Sequence, residues 1–464
     1  MWSAIERFSV QFVQLIIQIL IARILSPDDF GIIGMIAIFI AIAQSFIDSG
    51  FSNALIRKRD RTDIDNSTVF YFNIVVGAVF YLLLYLCAPA IAKFYNTPIL
   101  VPVTRIVGLG VIFNSLAVVQ RANLTAKVDF KTQAKASLIS VIISGGCGLF
   151  LAYKGFGVWS LVAQTLLNGG CNTIFLWIFA KWYPKWVFSW KSFREMFSFG
   201  SKLLLSGLMD TLYKNIYTIV IGKFYSAGDL GYFTKANQLA SFPSSNITGI
   251  LQRVTYPLLC ENQGNMEVLR TRYRTFLRLS AYVVFPLMVG LAVLAEPFIE
   301  TLLTDKWIAA VPLLQLLCLS MMWYPIHAIN LNLLQVQGRS DLFLRLEVVK
   351  KIVGISILCI TIPMGVVWMC VGKIVVTIIA LIINTHYTGK LIGLGFLKQM
   401  RDLLPSLVYS FLMGAAVMLI TMVVDNNLLQ IIIGIAVGVV VYFVMSKITR
   451  SEEYNTLMSL VHKK

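Results

Sequence analysis

The sequence predicts an all-α polytopic membrane protein of about fourteen transmembrane helices, built as two parallel six-helix lobes plus two C-terminal helices. Three observations predict it. Apolar residues make up 58% of the chain and charged residues 13%, and the mean hydropathy is +0.78, whereas soluble domains carry about 25% charged residues. Apolar runs long enough to cross about 30 Å of hydrocarbon recur along the whole length. One short segment also occurs twice in register: Arg23-Ile-Leu-Ser-Pro-Asp-Asp-Phe-Gly31 and Lys223-Phe-Tyr-Ser-Ala-Gly-Asp-Leu-Gly231.

The candidate spans fall at 2–25, 31–49, 67–88, 102–120, 136–153, 156–179, 202–222, 229–251, 279–298, 311–334, 350–363, 366–386, 403–424 and 428–446. The eighth is unusually polar and the eleventh is short. In each copy of the repeated segment an apolar run ends, Ser and Asp start the next helix, and Pro or Gly makes the turn. An even number of spans separates the copies, so both halves enter the membrane in the same sense. The organisation is an N-lobe at 1–180, an inter-lobe linker at 181–201, a C-lobe at 202–386, two further spans within 387–446 and a tail at 447–464.

Charge sets the orientation. With the N-terminus inside, most of the 39 basic residues fall on cytoplasmic segments, including Arg57, Lys58, Arg59 and Arg61, then Arg121, Lys127, Lys131 and Lys135, then Arg270, Arg272, Arg274 and Arg278. Both termini are therefore expected in the cytoplasm. This bias is also the ordinary cause of a formal charge of +17 in a membrane chain, which removes the argument for nucleic acid. The linker Lys181-Trp-Tyr-Pro-Lys-Trp-Val-Phe-Ser-Trp190 is basic and aromatic and suits the inner interface. The seven cysteines are scattered with no ligand spacing, so neither disulfides nor a metal is expected. No cleavable signal precedes the first span. The connections are too short for a folded catalytic domain, so no enzyme, cofactor or metal site is expected.

Polar residues inside spans face a cavity or another helix, because they are costly in hydrocarbon. Ser3, Arg7, Gln11, Gln14 and Gln18 share one face of the first span. Thr211, Lys214 and Thr218 stand at the repeat-equivalent positions of the last three, and Asp210 and Lys214 are spaced for an intrahelical pair. The eighth span carries Lys235, Asn237, Ser241 and Asn246 around Pro243, and the tenth carries His327, Asn330 and Asn332. Together they predict an aqueous, net-cationic cleft. The candidate binding residues are Arg7, Gln11, Gln14, Gln18, Arg23, Asp210, Lys214, Lys235, Asn237, Asn246 and Asn330. Any single Gln, Ser or Thr also fits interhelical glue, and Asp210–Lys214 also fits a structural pair. His327 reads as a packing histidine, and Lys373 as a residue that snorkels or faces the later spans.

Several stretches carry a family resemblance: Ala22 to Gly31, Phe156-Gly-Val-Trp-Ser160, Phe197-Ser-Phe-Gly-Ser-Lys-Leu-Leu-Leu205, Ile221-Gly-Lys-Phe-Tyr225, Phe242 to Thr248 with Gln252-Arg-Val254, and Gly338-Arg-Ser-Asp-Leu-Phe343. The chain resembles the oligosaccharide flippase (polysaccharide transport) family of the multidrug/oligosaccharidyl-lipid/polysaccharide exporter superfamily, in particular its lipopolysaccharide and colanic-acid-type exporters. The resemblance covers nearly the whole chain. It departs at the start, where family members usually carry several more residues before the position of Trp2.

The resemblance implies a V-shaped, two-lobed transporter that moves polyprenyl-pyrophosphate-linked oligosaccharide across a bacterial inner membrane by alternating access. The cargo would pass to polysaccharide polymerase machinery. A cationic cavity would hold the pyrophosphate, and Arg7, Arg23, Lys214 and Lys235 have the charge for it. A coupling ion, H+ or Na+, would need an acid, for which Asp210 and Glu6 are the candidates. The rival within the fold is an ion-coupled multidrug antiporter, which would prefer an acidic, aromatic cavity. A membrane glycosyltransferase would need a large loop with catalytic acids.

Overall fold

A computed structural model describes residues 2–48, 51–58 and 60–455, without the side chains of 2–8, 48, 53, 199, 202, 203, 205 and 206. The described residues form helices and no strand. The chain divides into two compact units, Met1–Thr234 and Lys235–Lys464.

The first unit contains α1 (Trp2–Ile24), α2 (Pro27–Asp48), α3 (Phe51–Arg57), α4 (Asp63–Tyr95), α5 (Leu100–Val107), α6 (Leu109–Ala126), α7 (Phe130–Tyr153), α8 (Val158–Ala180), α9 (Trp190–Lys214) and α10 (Ile216–Phe224). The first two turns of α11 (Ala227–Glu261) belong to it as well. The second unit contains the rest of α11, then α12 (Met266–Val293), α13 (Ala295–Leu303), α14 (Val311–Met321), α15 (Tyr324–Val336), α16 (Ser340–Thr361), α17 (Val366–Ile392), α18 (Phe396–Val423) and α19 (Asn427–Ile448).

Helices cover all the predicted spans, and the two halves of several spans are separate elements. Among the described residues, ten helical segments are long and apolar enough to cross a membrane. The predicted spans outside that set are α1, α9 with α10, α11 and α16, and all of them carry charge or amide side chains along their length. They include the two spans that composition marks as polar and short.

Local chemistry explains the helix ends. Thr62 and Asp65 form a reciprocal capping box at the start of α4, and Asn96 closes it in the left-handed conformation at φ 53°. Asp129 caps α7 by accepting from the Thr132 N–H at 3.1 Å and the Thr132 hydroxyl at 2.7 Å. These two donors hold the Asp129 carboxyl below its ordinary pKa. The linker after α8 is strapped across the start of α4. The Lys185 N–H donates to Ser67 Oγ at 2.9 Å, the Ser189 N–H donates to Thr68 Oγ1 at 3.1 Å, and Lys185 Nζ lies 2.6 Å from Asp63 Oδ2.

Between spans, close packing and a few hydrogen bonds replace the hydrophobic drive that lipid cannot supply. A Cβ on Gly145 of α7 would lie 2.3 Å from Ile17 Cδ1 of α1, so a larger residue there would make the Ile17 side chain shift. The Thr173 hydroxyl and the Trp177 indole of α8 donate to the carbonyls of Phe113 and Leu116 of α6, at 2.8 and 2.9 Å. In the second unit the Tyr442 hydroxyl of α19 donates to the Tyr282 carbonyl of α12 at 2.8 Å.

The repeated segment builds the same loop twice. Ser26 Oγ donates to Asp29 Oδ2 at 2.7 Å while the Asp29 N–H donates back to Ser26 Oγ at 3.3 Å. Ser226 and Asp229 make the same pair at 2.7 and 3.0 Å. The two tips also meet reciprocally. A Cβ on Gly31 would lie 1.7 Å from the Ala227 carbonyl oxygen, and one on Gly231 would lie 2.0 Å from the Pro27 carbonyl oxygen. The shared glycine, which the sequence marks as a turn residue, is therefore also what lets the two loops touch backbone to backbone.

Candidate functional site

In α1, Gln11 and Gln14 are exposed along the predicted face, and one turn on the Gln18 amide donates to Gln164 Oε1 of α8 at 3.4 Å. Gln18 thus joins helices, while Gln11 and Gln14 stay open. Arg23 is exposed in the last turn of α1. The side chains of Glu6 and Arg7 lie outside the described residues.

In α9, Lys214 Nζ lies 2.7 Å from Asp210 Oδ2, the i to i+4 pair that the spacing predicts. Both remain open to their surroundings, with side-chain exposures of 72% and 49%. One position on from Asp210, Thr211 Oγ1 lies 3.0 Å from Ser45 Oγ of α2. The break between α9 and α10 falls directly after Lys214, at Asn215, whose amide donates back to the Thr211 carbonyl at 2.8 Å.

The second unit gathers the remaining charges. Lys235 is only 3% exposed, and its Nζ sits 5.8 Å from the centroid of the Trp307 ring, a cation–π arrangement with a residue that is itself fully buried. Two residues on in α11, Asn237 Oδ1 accepts from Lys373 Nζ of α17 at 3.1 Å. Sequence reasoning set Lys373 aside and passed over Trp307. The structure puts both beside candidate residues.

The other predicted amides are engaged differently. Asn246 turns back on its own helix and donates to the Phe242 carbonyl at 2.8 Å. Asn330, 1% exposed, sits in a closed cluster. Its amide donates to Gln399 Oε1 at 3.1 Å, its Oδ1 accepts from Gln399 Nε2 at 3.2 Å, and Thr388 Oγ1 donates to that same Oδ1 at 2.7 Å. This cluster joins α15, α17 and α18. Nearby, His327 Nδ1 lies 3.0 Å from the Asn384 amide, a packed histidine with a side-chain partner. The structure therefore brings Lys235 and Asn237 together with two residues not on the predicted list, and it commits Asn246 and Asn330 to internal bonds.

Comparison with known proteins agrees with this architecture. A family model described as a polysaccharide biosynthesis protein matches residues 20–312. The chain is 29% identical over 346 residues to the teichuronic acid biosynthesis protein TuaB of Bacillus subtilis (strain 168), across 74% of this chain and 71% of that one. It is 24% identical over 424 residues to the lipopolysaccharide biosynthesis protein WzxC of Escherichia coli (strain K12), across 89% and 86%. Its fold is similar to that of the lipid II flippase MurJ in an inward closed conformation, with a TM-score of 0.79 over 98% of this chain and 99% of that one, at 18% identity. The residues matched by the family model are more than half of the chain, and this multi-pass, all-helical membrane protein belongs to the polysaccharide biosynthesis protein family.

Proposed function

We propose that the chain is a flippase that moves polyprenyl-pyrophosphate-linked oligosaccharide repeat units from the inner to the outer leaflet of a bacterial inner membrane, without chemistry on its cargo. The observation that carries this reading is the pair of lysines, Lys235 against Trp307 and Lys373 against Asn237, within the spans of a chain of this family. A lysine within a span is costly, up to about 2.5–3.5 kcal/mol at the centre on insertion scales, and a lysine pair there suits an anionic pyrophosphate. The open amides Gln11 and Gln14 have the donors and acceptors that sugar hydroxyls require. Asp210, partly open beside Lys214, is the acid that could take a coupling H+ or Na+.

In this reading the polar helices α1, α9 with α10, α11 and α16 also cross the membrane, which gives fourteen spans with both termini in the cytoplasm and repeat-related lobes. Alternating access requires the two repeated loops to part, so Gly31 must leave Ala227 and Gly231 must leave Pro27. A multidrug antiporter of the same fold is the weaker reading, since it favours acids in its cavity and the charged residues set against Trp307 and Asn237 here are lysines. The test is a Lys214→Ala, Lys235→Ala double variant in a host whose own flippase is deleted. Surface polysaccharide should disappear while protein level in the membrane stays normal. Normal export from that variant would sink the assignment.

A further inference from the structure

We infer that a second anion site lies at the ends of three spans of the first unit, and that it takes a phosphate group with a neighbouring hydroxyl or amino donor. The site is a pocket of about 210 Å³ lined by Arg61, Asp63, Asn66, Asn123, Lys127 and Trp182. Asp63 begins α4, Lys127 follows the last residue of α6, and Trp182 follows the end of α8, so the pocket stands where the apolar stretches stop.

Its charge is positive. The Asp63 carboxylate is met by Lys185 Nζ at 2.6 Å and by the Trp182 indole N–H at 3.4 Å. Asp129, two residues on from Lys127, is turned to the Thr132 hydroxyl and N–H, and of the residues that line the pocket Asp63 is the one acid. Arg61 and Lys127 therefore set the sign of the pocket, and Arg supplies the forked donor geometry that suits a phosphate.

A second observation points to a ligand. Asn66 is only 6% exposed, it lines the pocket, and its Oδ1 has no hydrogen-bond partner. A buried amide oxygen left open costs free energy, so it calls for a donor. The phosphate of a fully ionised monoester or of a diester offers none by itself. A glycerophosphate, an ethanolamine phosphate or a sugar phosphate offers both the anion for Arg61 and Lys127 and the donor for Asn66. The same chemistry comes from an anionic lipid headgroup or from a free phosphate ester. Level favours the lipid, because headgroups lie where spans end, and the exposed Trp186 of the adjoining linker, at 94%, is an interfacial residue. The site is separate from the lysines of the second unit and from the cargo proposed for them.

The experiment uses the full chain in nanodiscs. Retention of phosphatidylglycerol is read by native mass spectrometry for the wild type, for Arg61→Ala with Lys127→Ala, and for Lys131→Ala with Lys135→Ala as a surface-charge control. The Arg61/Lys127 variant should retain the lipid about tenfold less than the wild type. The control should match the wild type, and Arg61→Lys with Lys127→Arg should restore most of the retention. Displacement of the lipid by millimolar glycerol 3-phosphate at the wild-type site, and not at the double variant, would assign the site to a soluble ester. Equal retention by wild type and the Arg61/Lys127 variant, or equal loss in the control, overturns the proposal.

Discussion

The amide cluster around Asn330 and the lysine cluster around Asn237 lie in the same compact unit, and α17 contributes to both. In the first, the Asn330 and Gln399 amides exchange donors and acceptors and the Thr388 hydroxyl completes the set, so every group named has its partner within the protein. In the second, Lys373 meets an amide oxygen and Lys235 meets an indole face. The difference is one of charge. Neutral amides can close on one another and become glue, whereas a lysine brings a charge that such glue does not need. A polar residue in a span is thus a poor sign of a binding site by itself. A lysine there is a better one.

The sharpest way to break that comparison is to remove both charges. Lys235→Ala with Lys373→Ala should lower export by about a hundredfold, the order expected when paired charges that hold an anion are truncated. The melting temperature in detergent should stay or rise, because the costly groups are gone. A variant that unfolds but exports normally per folded molecule would place the lysines with the structural cluster instead.

The reverse experiment comes next in size. Asn330→Leu should leave the Thr388 hydroxyl and the Gln399 amide short of partners and cost about 1–2 kcal/mol of stability. Export per folded molecule should not change. Replacing all three, with Asn330→Leu, Thr388→Val and Gln399→Leu, should recover much of the loss, since apolar groups need no partner. A loss of export at normal stability would make Asn330 a contact residue after all.

Trp307→Phe tests the environment of Lys235 more gently. It keeps an aromatic face and leaves a smaller ring, and a buried cation–π contact is worth about 0.5–2 kcal/mol in all. A drop in export of about threefold is expected, with little change in melting temperature. Loss of stability without loss of transport would make the tryptophan a core residue only.

These outcomes also bear on what could be read from the chain alone. The spans were legible because lipid imposes length and apolarity, and the repeat was legible because Ser26 with Asp29 and Ser226 with Asp229 must cap helices in the same way. The contact of Gly31 with Ala227 was not, because a turn glycine and a packing glycine look alike in one dimension. Asn237 and Asn246 are likewise indistinguishable as letters on one polar helix, yet one faces Lys373 and the other its own backbone. Lys373 was discounted because a lone lysine near a span end can snorkel, and only the neighbour on α11 shows that it does not stand alone. Trp307, in a short segment after α13, carries no sign in the sequence of its full burial.

The last effect belongs to a polar contact outside the membrane, and it tests the comparison through stability alone. Asp129 caps α7 with two bonds from Thr132, and these favour the ionised carboxyl in the folded state, so its folded pKa lies below the ordinary 3.8. A depressed carboxyl pKa contributes stability that is present above the unfolded value and is lost as pH falls through the folded one. Asp129→Ala should therefore cost about 1 kcal/mol at pH 7. The charge-dependent part of that cost should fade below about pH 4 as the wild-type carboxyl also protonates. Thermal melts of wild type and variant across that range measure it. Asp129→Asn should retain most of the cap at pH 7, because an amide oxygen still accepts from the Thr132 N–H. If Asp129→Ala costs the same at low pH as at pH 7, the bond and not the charge does the stabilising. This half-buried cap would then behave like the neutral cluster around Asn330, and charge would matter only within the spans, at Lys235 and Lys373.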